Sequence, residues 1–172
     1  MRYVYKTLKS PLGVLKLIGS DHGLAAVLWE HDDSLPQHFG AVAVDLRHPV
    51  LVQAQQQLDE YFCGSRKRFT VPLDFVGTEF QNKVWNALRT IPFGETRSYG
   101  EIAEQIGSSK AVRAVGAANG RNPIPVIVPC HRVIGADGTL TGFAGGLEIK
   151  ARLLALEGRP LNPRNAQLAL GV

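Results

Sequence analysis

Cys130 and His131 stand side by side at the end of an apolar run, NPIPVIVPCHRVIG (residues 122–135), with Pro129 in front and Arg132 behind. A cysteine in such a run is most often a small buried hydrophobe. A cysteine beside histidine and arginine can instead be a thiolate nucleophile, because nearby positive charge lowers a thiol pKa from about 8.5 toward neutrality. Pro129 has no N–H and cannot continue a central strand. The chain is therefore expected to leave a strand at Cys130 and to expose the thiol at a strand end or helix start. Glu157 is available to hold a histidine in one tautomer, which would complete a Cys–His–acid relay. Adjacent side chains need not touch, so His131 is expected to reach the sulfur through a bridging water.

Packing and chemistry both stay open for Cys130 on these residues alone. The other histidines, His22, His31, His38 and His48, fall in loops and turns and suggest no ligand set. Cys63, at a helix end before Gly64, reads as structural. No CxxC or CxxH cluster appears, so neither a structural zinc site nor any other metal is expected.

The elements that must position these residues differ between the two halves. SPLGVLKLIGSDHGLAAVLW reads as short strands joined by tight turns at Pro11, Gly13, Gly19 and His22–Gly23. Residues 31–48 are loop-like. A helix is predicted over Pro49–Phe62, with proline at an early position and Gly64 past its end. FTVPLDFVG (69–77) reads as a connection. Thr78 and Gln81 form a capping box that opens TEFQNKVWNALRTI. Ser98 and Glu101 form a second box, which places Tyr99 in the first turn of YGEIAEQI. Gly107 closes that helix, and Ser108 or Ser109 is expected to cap the next, KAVRAVGAANG. Two helices around a short glycine-containing turn outline a helix-turn-helix. The second is nearly bare: Ala111, Ala114, Gly116, Ala117 and Ala118 surround one long central side chain, Arg113. LEIKARLLALEG forms the last helix. Glu157 at its C-terminal end meets the negative pole of the helix dipole, a mild penalty that a cationic partner would remove. The residues from Arg159 on read as a peripheral tail.

The bulk numbers are permissive. The chain has 172 residues, 45% of them apolar and 20% charged, and a net charge of +4. That is enough apolar content for a core and a balance that permits a polyanion partner without demanding one. No run approaches a membrane span, and the first residues lack the apolar stretch of a secretory signal. A cytoplasmic protein with free thiols is expected.

The segments FQNKVWNALRTIPFGETRSYGEIAEQIG, RAVGAANGRNPIPVIVPCHRVIG and GTLTGFAGGLEIKARLLALEG, in that order, resemble the O6-alkylguanine-DNA alkyltransferases, the methylated-DNA–protein-cysteine methyltransferases. The likeness runs from about residue 78 to 158. It implies an α+β fold: a small antiparallel-sheet N-terminal domain (1–75), a mainly helical C-terminal domain with the helix-turn-helix (76–160), and a tail (161–172). It implies stoichiometric DNA repair without a cofactor, in which O6-alkylguanine, and O4-methylthymine, in double-stranded DNA gives up its alkyl group to Cys130. By motif position His131 is the base acting through water, Glu157 orients it, and Asn122 braces the helix-turn-helix against the active segment. Tyr99 helps rotate the nucleotide and supplies a hydrogen bond or proton. Arg113 fills the space that the extruded base leaves.

A base must leave the stack before a thiolate can reach its O6 substituent. A bare helix suits close approach in the minor groove, where wedging matters more than base-edge readout. Ala114 and Ala118 would line that approach, with Lys110 and Arg121 on phosphates. Val133, Phe143, Ala144 and Gly145 would surround the extruded base. Phe143 and Ala144 stand where relatives often carry tyrosine and serine, which leaves substrate range open. A monomer is expected. A thiol hydrolase built on Cys130, His131 and Glu157, and a DNA-binding module without transfer chemistry, are the competing readings.

Overall fold

The structure is a computed structural model that describes residues 2–30, 35–143 and 145–169. His31 and Ala144 lie outside the described residues. The chain divides into two compact units, Met1–Val76 and Gly77–Val172.

In the first unit, strands β1 (Val4–Ser10), β2 (Gly13–Ser20) and β3 (Gly23–Trp29) pair antiparallel through two tight turns. A two-residue strand, β4 (Ala43–Val44), adds to the free edge of β1 in the parallel sense, so the sheet order is β3-β2-β1-β4. The antiparallel sheet expected from the turn signals thus acquires a short parallel edge. Leu15, Leu17, Ile18 and Leu24 are fully buried. Helix α1 (Pro49–Phe62) covers the sheet with Val50, Leu51, Ala54, Leu58 and Tyr61. Its apolar stripe ends on Tyr61 rather than Phe62, because the 3.6-residue period drifts from a strict spacing of four.

The expected connection, residues 69–77, is anchored within this unit. Leu24 donates to the Pro72 carbonyl and accepts from the Asp74 amide (both 2.8 Å), and the Gln57 amide group bonds Thr70 and Val71. A Cβ on Gly23 would lie 2.7 Å from the Pro72 oxygen, so only glycine admits this approach. Cys63, at the C-terminal end of α1, is exposed and free rather than packed.

The second unit is helical. Helix α2 (Glu79–Leu88) opens on the complete Thr78–Gln81 capping box. Strand β5 (Arg97–Ser98) leads into α3 (Tyr99–Gln105), where the Ser98 hydroxyl accepts from the Glu101 amide at 3.1 Å. Helix α4 (Val112–Gly120) begins two residues later than the sequence suggests. Neither Ser108 nor Ser109 caps it: the Ala111 amide bonds the Ser108 carbonyl at 2.8 Å, and this turn uses the residues that would have formed the first turn. The α3–turn–α4 hairpin is a helix-turn-helix.

Residues 123–128 form buried turns and not a strand. Pro123, Pro125 and Pro129 cannot donate to a ladder, which explains why an apolar run of this length stays irregular. Strand β6 (Val133–Ile134) pairs parallel with β5. Helix α5 (Leu147–Leu156) follows, and α6 (Pro163–Ala169) packs on it. Leu161, Leu168 and Ala169 pack against Leu140, Ala151 and Leu154, so the segment read as a peripheral tail contributes a helix and part of the core.

Candidate active site

Cys130, His131 and Arg132 form a single 3-10 turn between the proline-rich segment and β6. The turn is buried: Cys130 is 4% exposed and His131 fully buried. The segment before it is held by Asn122, directly after α4. The Asn122 side chain donates to the Val128 carbonyl at 2.8 Å and accepts from the Ile124 amide at 3.0 Å. Between them Val126 adopts φ 74°, a left-handed conformation rare for a β-branched residue. Such a conformation persists only where its surroundings enforce it. The backbone on which Cys130 sits is thereby fixed to the end of α4.

Glu157, at the end of α5, is the hub beneath the turn. Its Oε2 accepts from His131 Nε2 at 2.7 Å and from Arg132 Nη2 at 3.0 Å. Its Oε1 accepts from Arg132 Nε at 2.8 Å and from the Gly94 amide at 3.2 Å. Arg132 Nη1 donates to the Ile91 carbonyl at 2.6 Å. Gly94 has φ 80°, and a Cβ there would approach the Glu157 carbonyl at 3.1 Å, so the loop before β5 needs glycine to reach the carboxylate. The carboxylate at a helix C-terminus, unfavourable in isolation, is compensated by a bidentate guanidinium and an imidazole. Burial alone would raise the Glu157 pKa, but these two partners outweigh it and hold the group well below the usual carboxylate range.

The same pairing sets the histidine. Nε2 carries the proton it gives to Glu157, so Nδ1 carries the lone pair. Nδ1 is buried and has no hydrogen-bond partner among the described residues. Burial lowers the His131 pKa, opposed by Glu157, which leaves a neutral ring able to accept a proton.

Two expectations for the thiol are overturned. It is not exposed at a strand end, because no strand precedes it. Nor does it have a depressed pKa: burial pushes it up to about 11, against the opposing effects of the Asn122 side chain and the Lys150 charge. Arg132, which the sequence offers as a neighbouring charge for the sulfur, is directed to Glu157 instead. The resting thiol is protonated.

The other sequence-derived residues distribute around this turn. Tyr99, half-buried at the start of α3, places its hydroxyl 3.2 Å from the Thr141 carbonyl and 3.0 Å from the Thr141 Oγ1. Lys110, Arg113, Ala114 and Arg121 are exposed on and beside α4. Ala118 is not: it is 3% exposed, and its carbonyl accepts from Trp85 Nε1 at 2.9 Å. It faces α2, and Ala117, one position earlier, takes the exposed place. The side chain of Val133 is buried, its carbonyl is held by Lys150, and its amide by the Cys130 carbonyl. Phe143 and Gly145 are half-buried in the loop before α5. Ala144, expected beside them, lies outside the described residues.

Sequence reasoning missed Asn119 and Lys150. Asn119, 2% exposed on α4, donates to the Cys130 carbonyl at 3.4 Å. Each carried a signal: a polar residue on an apolar stripe, Asn119 four after Val115 and Lys150 three before Leu153. Among the described residues no group of three or more histidine, cysteine, aspartate or glutamate side chains could hold a metal ion, and no helix is long and apolar enough to cross a membrane.

A helix-turn-helix joined through Asn122 and Asn119 to a cysteine–histidine–glutamate cluster defines a nucleic-acid-type scaffold carrying a thiol site. Residues 79–159 match the 6-O-methylguanine DNA methyltransferase DNA binding domain, and residues 3–75 match the ribonuclease-like domain of the same family. The chain is 52% identical over 156 residues to the methylated-DNA–protein-cysteine methyltransferase of Mycolicibacterium paratuberculosis, covering 90% of this chain and 92% of that one. It is 50% identical over 161 residues to the enzyme of the same description from Methanosarcina acetivorans, covering 90% and 97%. The crystal structure of Mycobacterium tuberculosis OGT in complex with DNA superposes with a TM-score of 0.83 at 47% identity, covering 98% of this chain and 99% of that one. The chain belongs to the 6-O-methylguanine DNA methyltransferase family.

Proposed function

We propose that this protein binds double-stranded DNA and repairs O6-alkylguanine by moving the alkyl group onto Cys130, once per molecule. One observation carries the reading: the buried contact of His131 Nε2 with Glu157, which leaves Nδ1, on the residue that follows Cys130 in the same buried turn, as a proton acceptor. A protonated, buried thiol does not react with passing electrophiles, and a base in the same turn removes the proton, through a water, when a substrate is in place.

The step balances simply. The thiol proton passes to His131 Nδ1, through a water. Sulfur attacks the alkyl carbon in line, the S–C bond forms, and the C–O6 bond breaks. The electron pair remains on the guanine, which takes a hydrogen bond or proton from Tyr99. The product is a thioether, which cannot leave under mild conditions, so the acceptor is consumed.

Delivery of the base supports the same reading. The exposed face of α4 combines Arg113 with Ala114 and Ala117. Such a face suits the minor groove, with the arginine occupying the place of the rotated nucleotide. Lys110 and Arg121 flank it and suit phosphates. The protein acts as a monomer.

The experiment is to mix the protein with a duplex carrying O6-methylguanine labelled in the methyl group. Label fixed covalently on the protein, and absent from a Cys130→Ser variant, is expected. Label released to water with continued turnover would replace the proposal with a hydrolase. Tight binding without movement of label would replace it with a lesion-binding module.

A further inference from the structure

The loop between Thr141 and α5 includes Gly142, Gly145 and Gly146, with Gly142 at φ 46° and Gly146 at φ 95°. Glycine gives a backbone little rigidity, so the placement of this loop must come from its two ends. One end is α5. The other is the segment Gly135–Thr141. It begins with a closed turn, in which the Gly135 amide bonds the Thr139 carbonyl at 2.9 Å and the Thr139 hydroxyl bonds Asp137 at 2.7 Å. It ends on Thr141, which Tyr99 bonds. Two cavities border Leu140 within this segment, one of about 520 Å³ that reaches Thr141 and Leu147 and one of about 190 Å³ that reaches Ile134 and Gly138. Asn165 lines both.

Asn165 lies on α6 and is 6% exposed. Its Nδ2 donates to the Gly138 carbonyl at 3.2 Å, and its backbone amide donates to Asn162 Oδ1 at 2.9 Å. Leu161 and Leu168 pack against the cluster of Leu140, Ala151 and Leu154. Apolar contact of that kind seats α6 on α5, but it is non-directional and does not set where the loop segment lies along the helix. A hydrogen bond from a buried amide to a backbone carbonyl does set it. Gly138 is only half-buried, so water would serve its carbonyl, and satisfying that oxygen does not by itself call for an asparagine beside an apolar cluster.

We propose that Asn165 is a positioning residue for alkyl transfer: through Gly138 and Leu140 it sets Thr141 and the glycine-rich loop against Tyr99, and so governs how well the extruded base is held. The inference rests on the reading of Cys130 as alkyl acceptor and of residues 142–145 as a wall of the base pocket. Its effect falls on the base and not on the thiol, because the Cys130 turn is held separately, by Asn119, Asn122 and Glu157.

The test uses Asn165→Ala, Asn165→Asp and Leu168→Ala in the full chain. Asp keeps the size of the side chain and removes the donor; Leu168→Ala loosens the seat of α6 and keeps the donor. Two alkylations of the Cys130 peptide are followed by mass spectrometry, one by free O6-benzylguanine, which needs the base pocket, and one by iodoacetamide, which does not. Hydrogen exchange in the peptide spanning 136–146 reports the loop directly. In both Asn165 variants the benzyl transfer is expected to slow roughly fivefold, the worth of about one hydrogen bond. The iodoacetamide rate is expected to stay at the wild-type value, and exchange in 136–146 to quicken. Leu168→Ala is expected to lower the melting temperature and to keep the wild-type ratio of the two rates. Unchanged benzyl transfer in the Asn165 variants would overturn the proposal. So would equal changes with both reagents, a matching loss in Leu168→Ala, or loss of the fold in both Asn165 variants, each of which makes the residue purely structural. Wild-type protein that takes iodoacetamide on Cys130 but no benzyl group would instead overturn the underlying reading of the base pocket.

Discussion

Charge at the site is organised around one carboxylate. Glu157 receives three donors from two cationic-type side chains and one from the Gly94 amide, and its position fixes both the histidine tautomer and the arginine. Removing Arg132 strands that carboxylate in the interior. Arg132→Met is expected to destabilise the protein by about 3–5 kcal/mol, read from denaturant unfolding. His131→Ala acts differently, because it deletes the base and leaves the Glu157–Arg132 pair. It is expected to slow transfer from duplex by roughly 10²–10⁴ while DNA affinity, measured by anisotropy, is retained. The pairing of His131 with Glu157 was legible in the sequence because two local oddities pointed at each other: a histidine after a proline-terminated cysteine, and a glutamate at the unfavourable end of a helix. What sequence could not show was direction. Arg132 is adjacent to the sulfur in the chain, yet its guanidinium turns to Glu157, since a buried bidentate pair is worth more than proximity to a neutral thiol.

Elements were readable where local signals were complete. The Thr78–Gln81 box set the start of α2, and Pro49 and Gly64 bracketed α1. They failed where a signal had two outcomes. Ser108 serves a turn instead of a cap, and the apolar run before Cys130 is irregular because prolines outweigh its β-branched residues. The tail helix α6 escaped notice because Leu168 is its one large apolar residue. Helix α4 has little bulk of its own and depends on α2 for its seat, through the bond from Trp85 to the Ala118 carbonyl. Trp85→Phe removes the indole donor and leaves that carbonyl with the Arg121 amide alone, at 3.1 Å. It is expected to cost about 0.5–1.5 kcal/mol of stability, read from denaturant unfolding, and to weaken duplex binding with it. Arg113→Ala, on the opposite, exposed face, should leave the fold untouched. Repair of duplex DNA is expected to fall while reaction with free O6-benzylguanine is kept. Equal loss on both substrates would remove Arg113 from the extrusion step.

The molecule as a whole combines a net charge of +4 with a buried, strongly perturbed cluster in its second unit. The cluster dictates how stability responds to pH. His131 has a folded pKa below its ordinary value of 6.5, so below that pH the unfolded chain binds a proton that the folded one refuses. Glu157 is depressed from 4.5 and adds a second loss in the same direction at lower pH. Unfolding temperature is therefore expected to fall as pH drops through 6.5 and again through 4.5, with the first step missing in His131→Ala. In the proposed reaction a single atom, the sulfur of Cys130, is the final resting place of one alkyl group. Peptide mapping of protein exposed to an excess of methylated duplex locates and counts that group. One methyl per chain is expected, on the peptide that contains Cys130, with no further uptake. Methyl on Cys63 or on any other residue, or an unmodified chain after substrate has been consumed, would contradict it.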